Sequence, residues 1–146
     1  DIPGIAYKVI GPVSEEGIEV DVIVQSAAAD GSNDISFTVK RAESEKAHKI
    51  LNLIATELKA KKVALDKDVC KVSLVGVGMR SHAGIASQMF KTLANEGINI
   101  QIITTSEIKI SVVIEEKYLE LAVRSLHDAF DLGDPKSDSG SKQTKN

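Results

Sequence analysis

The sequence predicts an α+β fold made of two tandem ferredoxin-like βαββαβ modules, each an antiparallel sheet covered by helices on one face. Three observations carry this. Asp1-Ile-Pro-Gly-Ile-Ala6 returns as Ser81-His-Ala-Gly-Ile-Ala86, and Glu16-Gly-Ile18, Val20 and Ser26 return as Glu96-Gly-Ile98, Ile100 and Ser106, all at an offset of 80. Past the loop holding Asp30 and Gly31 the offset falls to 75: Asp34-Ile-Ser-Phe-Thr-Val39 matches Lys109-Ile-Ser-Val-Val-Ile114, and Ala47 and Leu51 match Ala122 and Leu126. In both copies helical and strand periodicities follow one another in the same order. The expected division is residues 1–66, residues 67–132 and a disordered tail at 133–146, where Ser, Lys, Asp and Gly show no apolar period.

The first helix is expected from about Ile5 to Glu16, with Ile5, Val9, Ile10 and Val13 on its apolar face and Gly17 stopping it. Gly11-Pro12 conflicts with that pattern, because proline removes an intrahelical hydrogen bond and should kink or shorten the helix. Ile18 to Ser26 alternates and is rich in Val and Ile, Ala27 to Asn33 is a polar loop, and Ile35 to Val39 is a second strand, a hairpin-like pair. Glu43 to Lys61 places Ala47, Ile50, Leu51, Ile54 and Leu58 at helical spacing and is expected to be the longest helix. Lys62 to Leu65 and Val69 to Val77 are strand-like, separated by the charged turn Asp66-Lys67-Asp68. The second copy repeats the order: a helix from about Ile85 to Glu96, strands Ile98 to Thr105 and Ile108 to Ile114, and a helix from Lys117 to Phe130. On this count the first module lacks its first strand and the second its last.

Modules of this size bury little alone, so sharing a core with a neighbour is expected. A net charge of −3 argues against a surface that tracks nucleic-acid phosphates. The basic cluster Lys59 to Lys62 is expected to be the solvated end of a helix. No apolar run has the length of a membrane span, and the single cysteine, Cys70, excludes an internal disulfide and fits a reducing cytoplasm.

Gly76-Val-Gly78 follows a strand and precedes a helix, but the third glycine of a dinucleotide fingerprint is missing and Gln101 stands where an acid should hold a ribose. His48, His82 and His127 have no second ligand at metal-binding spacing, and Ser81-His82 has no orienting acid. No cofactor is expected. The loops before the two Gly-Ile-Ala helices remain. A helix's first turn offers unpaired N–H groups and a partial positive charge to a small carboxylate, and the oxygens of Asp1 and Gln25 suit an ammonium group. A free amino acid carries both groups. The same residues also fit ordinary helix capping by Asp1 and Ser81.

At these residues the chain closely resembles the C-terminal regulatory region of aspartate kinase (aspartokinase), built from tandem ACT domains. The stretches that carry the resemblance are Lys71-Val-Ser-Leu-Val-Gly-Val-Gly-Met-Arg-Ser-His82, Asn95-Glu-Gly-Ile-Asn-Ile100 and Thr105-Ser-Glu-Ile-Lys-Ile-Ser-Val-Val113, with Asp1-Ile-Pro-Gly-Ile-Ala6, Val24-Gln25 and Asp34-Ile-Ser-Phe-Thr38 in the first copy. It covers residues 1 to about 132. The resemblance implies feedback inhibition of the first step of the aspartate pathway by lysine or threonine bound between paired ACT modules, in a cytoplasmic protein that forms homodimers through those modules and associates with a kinase catalytic domain or subunit. It places the first effector loop at Asp1, Pro3, Gly4 and Ala6 with Val20 and Gln25 on the following strand, and the second at Ser81, His82 and Gly84 with Asn99, Ile100, Thr105, Ser106 and Glu107. The family commonly has proline where Ala83 stands and asparagine where Glu19 stands, so the second loop is less rigid and the first pocket carries an extra acid. The family's Lys-Phe-Gly-Gly catalytic motif has no counterpart in these residues, so the chain is expected to be a regulatory subunit or fragment that phosphorylates nothing by itself. A purely structural dimerisation module is the alternative.

Overall fold

A computed structural model describes residues 3–76 and 82–130. The chain divides into two compact units, residues 1–67 and 68–146.

The first unit contains α1 (Ile5–Glu15), β1 (Val20–Ala27), β2 (Asn33–Val39), a 3-10 turn at Arg41–Glu43 and α2 (Ser44–Ala55). The strands form the expected hairpin, pairing antiparallel with Ile23 opposite Phe37 and Gln25 opposite Ile35. Val13, Ile18 and Ala47 form its buried centre, with Val20, Phe37, Val39, Ile50 and Leu51 packed around them. The end of α1 explains how Val13 and Ile18 meet. Gly17 takes a left-handed φ of 75°, its N–H donates to the Ser14 carbonyl, and the N–H of Ile18 donates to the Val13 carbonyl. This double bond pattern satisfies two terminal carbonyls and brings the flanking apolar side chains together, and only a residue without Cβ adopts that φ without strain.

Three expectations for this unit are corrected. Pro12 does not shorten α1, which continues to Glu15; the complete burial of Val13 at the next position holds the last turn in place. The helix expected to reach Lys61 ends at Ala55. After it, the Leu58 N–H still bonds to the Ile54 carbonyl, but Lys59 turns left-handed at φ 53° and the Ala60 N–H reaches back to the Ala55 carbonyl, a helix stop built without glycine. At 12 residues α2 is also shorter than the 14-residue helix of the second unit. Residues 62–65 are not a strand. A strand exists only through a partner's hydrogen bonds, and among the described residues β1 and β2 are bonded only to each other.

The second unit contains β3 (Val69–Val75), α3 (His82–Asn95), β4 (Ile102–Thr105), β5 (Lys109–Glu115), a 3-10 turn at Glu116–Tyr118 and α4 (Leu119–Phe130). Its antiparallel sheet has the order β3-β5-β4, with Val72 opposite Val112 and Ile103 opposite Val112 from the other side. Ten buried residues make its core, among them Met89, Leu93, Ile110, Ile114, Ala122 and Leu126. The helix stop recurs: Gly97 has φ 69° and the Ile98 N–H donates to the Leu93 carbonyl. That bond trims the strand expected from Ile98, since the Ile98 N–H is already used; pairing with β5 starts at the Gln101 N–H, which donates to the Val113 carbonyl. α3 starts at His82 rather than near Ile85, β3 ends at Val75 rather than Val77, and α4 is preceded by a 3-10 turn. The expected tail and the Gly-rich approach to α3 at 77–81 lie outside the described residues.

Candidate functional site

α1 begins on Gly4, whose φ of 86° is left-handed and whose position receives no side-chain cap. The Lys8 N–H makes the helix's first bond, to the Gly4 carbonyl. The N–H groups of Ile5, Ala6 and Tyr7 therefore have no partner within the helix, and no acidic residue stands in the first turn to offset the positive end of the dipole. Pro3, Gly4 and Ala6 are exposed. β1 starts beyond the C-terminal turn of α1, and Gln25 and the loop after Ala27 are exposed at its far end. In that loop the Asp30 carboxylate accepts the Ser32 N–H at 2.9 Å and its hydroxyl at 2.6 Å, which holds its pKa below the usual carboxylate value.

The second unit repeats this arrangement. α3 opens at His82 with exposed Gly84 in its first turn and no acid there. Thr105 ends β4, and Ser106 and Glu107 form the turn into β5, closed by the Ser106 N–H on the Lys109 carbonyl at 2.7 Å. The Gly76 N–H donates to the Ile108 carbonyl at 2.8 Å, tying the exit of β3 to that turn. Thr105, Ser106 and Glu107 thus stand at the end of the sheet from which the chain departs toward α3.

The remaining expected residues stand elsewhere. Val20, Asn99 and Ile100 follow the C-terminal ends of α1 and α3. A helix of 14 residues is about 21 Å long at 1.5 Å per residue, so Asn99 and Ile100 are separated from Gly84 by most of the unit's height. Ile100 packs on the core's edge while Asn99 is exposed. A shallow cleft lined by Asp68, Glu115, Glu116 and Lys117 lies at this same end; there Lys117 pairs with Glu115 at 3.4 Å, which raises the lysine's pKa. One unit alone does not gather all the residues expected of its site. Asp1 and Ser81 lie outside the described residues. The offset of 80 also marks two positions the site reading missed: Ala86 matches Ala6, and Ser26 matches Ser106.

Among the described residues no three His, Cys, Asp or Glu side chains cluster as metal ligands, and no helix is long and apolar enough to cross a membrane.

Comparison with known proteins gives this geometry its context. A family model for the ACT domain matches residues 1–53 and 72–130, covering both copies of the repeat. An aspartate kinase of Pseudomonas putida is 61% identical over 135 residues, which is 92% of this chain and 33% of the relative. The chain therefore spans about a third of that relative's length. Among solved structures, one of aspartokinase alpha and beta subunits superposes with a TM-score of 0.84 at 52% identity, covering 90% of this chain and 86% of the other. The ligand-free regulatory subunit of aspartate kinase from Thermus thermophilus superposes with a TM-score of 0.82 at 40% identity, covering 89% and 85%. With both copies of its repeat matched and a regulatory subunit superposed over most of its length, the chain belongs to the ACT-domain family, as the regulatory part of an aspartate kinase.

Proposed function

We propose that the chain is an amino-acid sensor: it binds lysine, threonine or both and transmits feedback inhibition to an aspartate kinase catalytic domain or subunit in the cytoplasm. The observation that carries the proposal is the matched pair of helix starts. Each has an exposed glycine at its start, Gly4 or Gly84, no first-turn acid and neutral polar groups on a strand end of the same unit, Gln25 in one and Thr105 and Ser106 in the other. A carboxylate belongs at the N–H groups, and side-chain oxygens nearby accept from an ammonium. Val20, Asn99 and Ile100 stand at the far ends of their units, so a site using them as well needs a second ACT module, in keeping with a homodimer formed through these modules. Within this reading the ATP- and aspartate-handling chemistry resides in the remaining two thirds of proteins like the P. putida relative.

Melting curves with lysine, threonine and methionine test the proposal. A ligand at one hundred times its dissociation constant stabilises by about 2.7 kcal/mol, which for a chain of this size is a rise on the order of 10 °C. By calorimetry Gln25→Ala should weaken binding by roughly tenfold or more, the loss of a bond to a charged group, whereas Lys61→Ala should leave it unchanged. A structural dimerisation module predicts no rise with any of the three amino acids. That second reading has its own support in the first unit's sheet, which among the described residues has two strands and leaves both edges open.

A further inference from the structure

The repeat allows the two modules to be compared position by position at the end where the strands begin. Glu19 and Asn99 occupy the same place: each is exposed, each follows a buried isoleucine that closes the preceding helix, Ile18 or Ile98, and each precedes a half-buried residue of the expected site, Val20 or Ile100. The neighbours match; the charge does not. Glu19 is loosely held, its side chain 85% exposed and 3.8 Å from Lys40, itself 78% exposed. An ion pair this open is worth little and exchanges its cation readily. At the matched end of the second module Asp68, Glu115 and Glu116 line a shallow cleft, and Glu115 is already engaged by Lys117.

We propose that Glu19 sets the charge class of the effector at its end of the first module, accepting an amino acid whose side chain carries a second ammonium, while Asn99 gives the matched position a neutral one. This rests on the amino-acid-sensing reading and adds a residue that divides its effectors. The ammonium replaces Lys40 as the counterion of Glu19. A charge-assisted bond to a carboxylate distinguishes an ammonium from a methyl group of similar reach, which a neutral amide does far less well.

Calorimetry on the full chain with lysine, norleucine and threonine tests it, because norleucine keeps the carbon chain and lacks the terminal ammonium. The wild type should bind lysine about tenfold or more tighter than norleucine. Glu19→Gln and Glu19→Asn should each remove most of that preference while leaving threonine within about twofold. Lys40→Ala, which frees the carboxylate, should tighten lysine binding. Unchanged lysine affinity in both Glu19 variants overturns the proposal, as does a wild type that binds lysine and norleucine alike. Absence of binding by any of the three overturns the sensing reading and this proposal together, whereas threonine binding without a lysine preference overturns this proposal alone.

Discussion

Single residues matter most in this chain where a polar side chain fixes a loop. Asp30 is such a case. Its carboxylate accepts both the backbone N–H and the hydroxyl of Ser32, and these bonds to the charged form lower its pKa. The stabilising contribution is therefore fully present above the ordinary carboxylate pKa and is lost as pH falls through the depressed folded value. Ser32→Ala removes the hydroxyl bond, so Asp30 should titrate closer to its ordinary value and the acid limb of the stability curve should lose part of its slope. An NMR titration of the Asp30 carboxyl in both proteins checks this; identical midpoints would mean that the hydroxyl bond is absent in solution. The residues of the candidate site divide on similar physical lines. Gly4 and Gly84 could be placed at helix starts from the repeat and the helix signals alone, and Gln25 was singled out by its acceptor oxygen, whereas Thr105 came only from the resemblance. That Asn99 and Ile100 stand at the far end of their unit could not be read that way, because it follows from the length and direction of α3 between them and Gly84.

Elements were readable where apolar spacing and terminators agree, and misread where a boundary depends on a partner. The glycine stop after α1 was a sequence signal, and Gly97 repeats it after α3, with the Ile18 and Ile98 N–H groups donating to the Val13 and Leu93 carbonyls. The C-terminal end of α2 was missed because its terminator is Lys59, a residue that rarely adopts positive φ. Residues 62–65 read like a strand but pair with no strand among the described residues. Pro12 is the sharpest local conflict, since α1 continues through it. A prolyl ring in a helix interior removes one hydrogen bond, here the one to the Lys8 carbonyl, and costs about 3 kcal/mol relative to alanine. Pro12→Ala should thus stabilise the first unit by roughly 1–3 kcal/mol, allowing for the freedom the unfolded chain regains. Gly11→Ala should add to this by up to about 1 kcal/mol, because the new Cβ would meet the Tyr7 ring at 3.5 Å, ordinary contact. Urea titrations of both variants measure it, and a lower midpoint for Pro12→Ala would show that a kink at Pro12 is needed for packing.

For the whole molecule, the repeat suggests two equal modules, but the buried cores are unequal. Among the described residues the second unit has three bonded strands and ten residues in its buried cluster; the first has two strands and three residues in its own. The sequence conceals this difference because Ala47 and Leu51 have the same spacing as Ala122 and Leu126 of α4, and spacing does not reveal how many strands lie beneath a helix. In the first unit Ile50, Leu51 and Ile54 remain only half-buried. Hydrophobic stabilisation scales with the apolar area removed from water, so the first unit should open locally at lower free energy than the second. Hydrogen exchange should then proceed first in β1 and β2 and last in β3 and β5. Leu93→Ala, at a fully buried position, should cost about 2–5 kcal/mol and speed exchange in β3 and β5, whereas Ile50→Ala should cost less and act on β1 and β2. An effector held at the start of α1 would slow exchange in the weaker unit most, since ligand binding suppresses opening in proportion to the population it opposes. Equal protection of β1 and β3 in the chain without effector would show that the first unit gains stability from contacts beyond its own core.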